Sequence, residues 1–89
     1  MSGALFGCGP TMYTVDILPA SRVVTQAEEA DASTHAPYEY YFAKEHLAKA
    51  REEAAEANYQ DAIRFAEAAE EYGVKARDLA RRRMREMGR

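Results

Sequence analysis

Small apolar residues recur at alternating intervals of three and four on both sides of one turn signal, Asn58-Tyr59. Before it the series is Tyr40, Ala43, Leu47, Ala50, Ala54, Ala57; after it come Ala62, Phe65, Ala69, Tyr72, Ala76, Leu79. That spacing puts each series on one stripe of an α-helix. Two such stripes joined by a tight turn satisfy each other by folding antiparallel. Because so many of the positions are Ala, the axes can approach closely, and the seam becomes a match of shapes rather than a greasy surface. The expected fold class is therefore all-α, an antiparallel helical hairpin of residues 37–57 and 60–87. Its corner is Asn58, Tyr59 and Ala62, with Asn58 expected to take the left-handed conformation of a helix C-cap.

A further helix is expected over residues 19–34, completing a three-helix unit over 19–89. Its stripe is Ala20, Val23, Ala27, Ala30, Thr34, with Glu28, Glu29 and Asp31 facing water. Pro19 suits a first helical turn, where its missing N–H is not needed. Ala36-Pro37 should end that helix, since the residue before a proline is pushed out of the α region. Pro37 then opens the next one, with Glu39 placed well for the helix dipole. Gly73 is the one weak point expected in the last helix. Upstream, Gly9-Pro10, Thr11 and Tyr13-Thr14-Val15 disfavour a helix, so residues 9–18 are expected to form an extended tether.

At 89 residues the chain holds one domain at most, and the core must be small. Burying an Ala methyl gains ~0.8 kcal/mol, against ~1.5–3 for a Leu or Phe side chain. Helix propensity must then supply much of the stability, and homo-oligomerisation is a natural supplement. The formal net charge of -3 conceals an asymmetry. From Lys75 to Arg89 seven basic residues meet two acidic ones, a net +5, and the rest of the chain carries -8. Cations near a helix C-terminus meet the negative end of its dipole. Arg77, Arg81, Arg82, Arg83 and Arg85 are also candidate contacts for anionic headgroups or cell-wall polymers. Nucleic acid is not the expected partner, because the acidic body would repel phosphate.

The corner Ala57-Asn58-Tyr59-Gln60-Asp61-Ala62-Ile63, followed by Phe65, Ala66 and Ala69, resembles that of a tetratricopeptide repeat, over about 20 residues. A longer pattern takes in the Ala-spaced first helix and Ala36-Pro37-Tyr38-Glu39-Tyr40. It continues through Ala43-Lys44-Glu45-His46-Leu47-Ala48-Lys49-Ala50-Arg51-Glu52-Glu53, the corner, and Ala66-Glu67-Ala68-Ala69. This resembles domain-of-unknown-function family 4398, short helical proteins of the bacterial envelope, commonly lipoproteins. The resemblance implies a helical unit outside the cytoplasm and supplies no reaction. Beside it, Leu5-Phe6-Gly7-Cys8 is similar to a bacterial lipobox, which implies cleavage before Cys8 and acylation of its thiol. Residues 1–7 would then be the remnant of a lipoprotein signal, since six residues after Met1 fall short of a 7–15-residue apolar signal core. Gly9 after the cysteine implies sorting to the outer membrane.

Candidate chemistry is otherwise sparse. The single cysteine makes no internal disulfide and no zinc-type pair. His35 and His46 belong to neither an HExxH nor an ExxH pattern, so no metal or other cofactor is expected, and no catalytic residue is assigned. Tyr38, Tyr40, Tyr41 and Phe42 form the best interaction candidate. They cannot all face one seam, and exposed tyrosines suit interfaces. The expected function is that of a non-enzymatic envelope lipoprotein, a scaffold or interaction module in the periplasm. Cys8 would hold it to the membrane, and its partner would be an envelope protein or cell-wall component. The alternative is a soluble cytoplasmic adaptor with a single tetratricopeptide-like hairpin.

Overall fold

The computed structural model describes the backbone of residues 2–88 and the side chains of residues 9–88. Its helices, in order, are α1 (Ser2–Glu29), α2 (Ala32–His35), α3 (Pro37–Ala55) and α4 (Tyr59–Met87). The described residues form an all-helical rod 60 × 17 × 14 Å in extent. The hairpin is α3 and α4, which run antiparallel, with Phe42 against Tyr72 and His46 near Phe65. The preceding helix α1 runs parallel to α4, with Gly9 at Tyr59, Val23 at Gly73 and Gln26 at Arg77. Helix α4 is therefore the shared wall, packed along its length by both α1 and α3, which touch each other far less.

The seam is made of methyl groups. Twelve of the seventeen buried hydrophobic residues among those described are alanines, the larger exceptions being Ile17, Val23, Val24, Tyr40 and Leu47. On α4 the buried stripe is Ala62, Ala66, Ala69, Gly73, Ala76 and Ala80. Ala62, Ala69 and Ala76 are buried as expected, while Ala66, Gly73 and Ala80, each one residue on, take the places expected of Phe65, Tyr72 and Leu79, which pack against the core only in part. Gly73 is a close contact with α1 rather than a weak point. A methyl group there would sit 2.6 Å from Val23 Cγ1. Valine is stiff about χ1 in a helix, so that clash has no cheap relief.

The extended tether over residues 9–18 is not found, and α1 continues through both Pro10 and Pro19. Local preference gives way here because Tyr13 and Ile17 extend the stripe of Ala20, Val24 and Ala27 by another two turns. Ile17 is buried, Tyr13 packs against the core, and the Tyr13 and Tyr59 ring centres lie 6.3 Å apart. Tyr59 also packs against Gly9, where a Cβ would come within 2.9 Å of its ring. The Thr14 hydroxyl donates to the Pro10 carbonyl at 2.9 Å. Packing, rather than propensity, decides whether marginal helix forms. Domain residues 1–7 and the Cys8 side chain lie outside the described side chains.

The first helix also ends earlier than residue 34. Asp31 takes a left-handed φ of 59°, and α2 is a separate short turn before Ala36. An Asp accepts that conformation more readily than most residues. Thr34, expected on the buried stripe, is exposed, and its hydroxyl donates to Asp31 Oδ1 at 3.2 Å.

At the hairpin corner α3 stops at Ala55, two residues short, and Ala57 is left-handed at φ 64°, not Asn58. The Asn58 N–H donates to the Glu53 carbonyl at 2.8 Å and the Ala57 N–H to the Ala54 carbonyl at 2.9 Å. That pair of bonds is the Schellman C-cap, which sets the left-handed residue immediately before Asn58. A left-handed L-residue with a Cβ costs about 1–2 kcal/mol. Ala57→Gly is therefore expected to stabilise the protein by about 1 kcal/mol in urea or thermal unfolding. A lower midpoint would place the left-handed turn elsewhere.

Candidate functional site

The aromatic run at the start of α3 divides as helical geometry requires. Tyr40 is buried at 3% exposure, while Tyr38 and Tyr41 are 66% and 48% exposed. Phe42 is half-buried and turns toward α4. There it packs on Tyr72 at a tilt of 30°, ring centres 3.9 Å apart, and stacks on His46, also at 3.9 Å with an interplanar angle of 13°. Tyr38 meets Tyr72 edge-on at 6.3 Å, and His46 continues the row to Phe65 at 5.9 Å. Five rings thus form one ladder along the α3–α4 groove. Tyr40 lies apart from it, edge-on to Tyr41 at 5.1 Å, with Lys44 Nζ 5.8 Å from its centre.

His46 is consequently not a free surface imidazole. Its Nδ1–H donates to the Phe42 carbonyl at 2.8 Å, and since a carbonyl only accepts, the proton sits on Nδ1. Lys75 Nζ stands 4.5 Å over the Tyr72 ring, a cation–π contact on one ring of the ladder. Lys49 donates to Glu52 at 2.9 Å, and this hydrogen bond, more than the carboxylate's charge, raises the lysine pKa above its ordinary value.

Two open surface hollows follow the ladder. Pro37, Tyr38, Tyr41, Phe42 and Glu45 line one of about 400 Å³; Glu45, His46, Lys49 and Phe65 line the next, of about 250 Å³. Glu45 is common to both. The surface offers aromatic faces, one shared carboxylate and one ammonium, the chemistry of a contact surface. Sequence reasoning assigned Phe65 and Tyr72 to the alanine seam and so missed their part in the ladder. Their spacing of seven, shared with Leu79, was the available signal. Among the described residues no cluster of three or more His, Cys, Asp or Glu could hold a metal ion, and no helix is long and apolar enough to cross a membrane.

The other candidates lie at the two ends of the rod. Asn58 Nδ2 donates to Glu53 Oε1 at 3.1 Å, Tyr59 rests on α1, and Ala62 is fully buried just beyond the corner. At the far end Arg77 is half-buried, bonded at 2.8 Å to both Gln26 Oε1 and Asp78 Oδ1. Arg83 donates to the His35 carbonyl and so ties α2 to α4. Arg81, Arg82 and Arg85 are exposed, with no carboxylate partner among the described residues. The five arginines therefore split into two structural ties and three free cations. The aromatic candidates and the arginines share no site.

These features define a short alanine-zipped helical rod with an aromatic ladder on one flank and a cationic tip. The family profile for a domain of unknown function, DUF4398, matches residues 16–88, and the chain belongs to that family. The match takes in everything from the second buried turn of α1 to the C-cap of α4. No curated protein and no solved structure matches the chain.

Phe42 sits between two rings while Tyr41 contributes mainly surface. Phe42→Ala is expected to lower stability by about 2–3 kcal/mol, discounted from the fully buried case, and Tyr41→Ser by less than about 0.5. Equal losses in chemical denaturation would contradict the ladder.

Proposed function

We propose that the chain is a non-catalytic cell-envelope lipoprotein, attached to the outer membrane by acyl chains on Cys8. Its helical rod acts in the periplasm as an interaction or scaffold module. Family membership and the lipobox-like Leu5-Phe6-Gly7-Cys8 motivate this reading. The observation that carries it is the outer side of α1 just after Cys8. Met12, Val15 and Leu18 are exposed there, three residues apart, although large apolar side chains were available to so thin a core. Between Gly9 and Ser21 the only charge is Asp16. Such a side suits the boundary of a bilayer that acyl chains already hold close, each buried CH₂ adding about 0.8 kcal/mol.

Since α1 spans Cys8 and residues 9–18 are helical, an acylated Cys8 would join the rod directly, with no extended spacer between lipid and domain. The groove of Tyr38, Tyr41, Phe42 and Glu45 would then face a protein or cell-wall partner. Tyrosine supplies broad contact area with few rotatable bonds to freeze.

Metabolic labelling of the full-length precursor with a palmitate analogue in the native host tests the attachment. Label is expected on the wild-type chain and none on Cys8→Ala. An unlabelled wild-type chain, or label that survives the substitution, would overturn it.

A further inference from the structure

The last two turns of α4 differ from the rest of the molecule in three respects. Residues 81–88 are all exposed, so the helix runs on past the elements that cover it. Arg81, Arg82 and Arg85 have no carboxylate partner among the described residues, whereas Arg77 and Arg83 are committed to Gln26, Asp78 and the His35 carbonyl. Finally, the stripe that is buried as Gly73, Ala76 and Ala80 continues as Met84 and Met87, which are 46% and 72% exposed.

At 3.6 residues per turn, Arg81 and Arg85 fall on one side of the helix, with Arg82 beside them. Met84 and Met87 flank them, Met84 three residues and so less than one turn from Arg81, on the stripe where α1 would have continued had it not ended at Glu29. The sequence therefore replaces seam alanines with long, flexible apolar side chains at the level where the seam loses its partner. A dipole alone does not account for the cations. It falls off within the final turn, and Arg85 already occupies that turn.

We infer that this tip is a docking surface for an anionic phospholipid bilayer. The guanidiniums meet headgroup phosphates, and the two methionines enter the acyl boundary beneath them. Charge complementarity and the apolar flank together favour this occupant. A polynucleotide would use the arginines and leave the methionines in water. The tip stands at the opposite end of the rod from Tyr59 and the start of α1, so it engages a membrane independently of any acyl group at Cys8. Each arginine near an anionic surface strengthens binding by about fivefold, so the three together contribute roughly 100-fold.

The test is co-sedimentation of the full-length, unacylated Cys8→Ser chain with vesicles. Binding to phosphatidylglycerol-containing vesicles is expected at low salt, and none to pure phosphatidylcholine. Arg81→Gln/Arg82→Gln/Arg85→Gln should weaken it roughly 100-fold. Met84→Ser/Met87→Ser should weaken it about tenfold while leaving its salt dependence unchanged. Circular dichroism should report the wild-type helix content in each variant, since every substituted tip residue is exposed. Inorganic phosphate at matched ionic strength should not displace the vesicles. Equal binding to both vesicle types, undiminished binding by the arginine variant, or preferential capture by single-stranded RNA would each overturn the proposal. Failure here would leave Cys8 acylation untouched, because the chain tested carries no lipid.

Discussion

The structure depends on how closely α1 and α4 can approach. At one close contact Val23 fills the space left by Gly73, and buried alanines continue the α4 stripe above and below it. A glycine within a helix costs roughly 1 kcal/mol of propensity. Here that loss is offset by contact over the length of the seam, because a helix whose outward groups are only methyls leaves its neighbour's backbone within reach. Dispersion is weak per contact and large in sum, so a seam without gaps substitutes for the large side chains this chain lacks. Everything else is arranged on the frame that results: α3 folds back on α4, and the aromatic ladder lines one flank of that pair.

The same frame explains which parts of the fold were legible in the sequence. Three-four alternation located α3 and α4 and their corner to within two residues, since that periodicity is a direct consequence of burying one face of a helix. Features depending on partners distant in sequence were not legible. Gly9-Pro10 reads locally as a helix breaker, and the packing that keeps it in α1 comes from Tyr13 and Ile17 on the buried stripe and from Tyr59, fifty residues away. Gly73 reads as a weak point until Val23 is placed beside it. The left-handed corner residue was assigned to Asn58 by residue preference, while the backbone bonds of Glu53 and Ala54 fix it at Ala57. The aromatic run was partly legible: helical angle alone says that Tyr38, Tyr40, Tyr41 and Phe42 must diverge. It does not say that Phe42 and His46 join Tyr72 and Phe65.

The distribution of chemistry along the rod gives the fold its functional sense. One end presents exposed Met12, Val15 and Leu18 close to Cys8; the other presents Arg81, Arg82 and Arg85, without a carboxylate partner among the described residues, beside two methionines. Between them runs a flank of rings and a shared carboxylate. The ion pairs on the remaining surface are mostly exposed contacts within single helices, which contribute little to stability. A rod 60 Å long built this way holds its two end surfaces well apart, and the alanine seam is what joins the helices along it.

If shape rather than hydrophobicity limits that seam, then enlarging its apolar side chains must weaken it. Thermal unfolding of Ala69→Leu and Ala76→Leu measures this directly, because both positions are fully buried on α4 and Leu is nearly as good a helix former as Ala. Overpacking is expected to lower stability by about 1–3 kcal/mol at each position despite the added apolar area. A rise in the unfolding midpoint for either variant would contradict the close approach of α1 and α4 on which the structure rests.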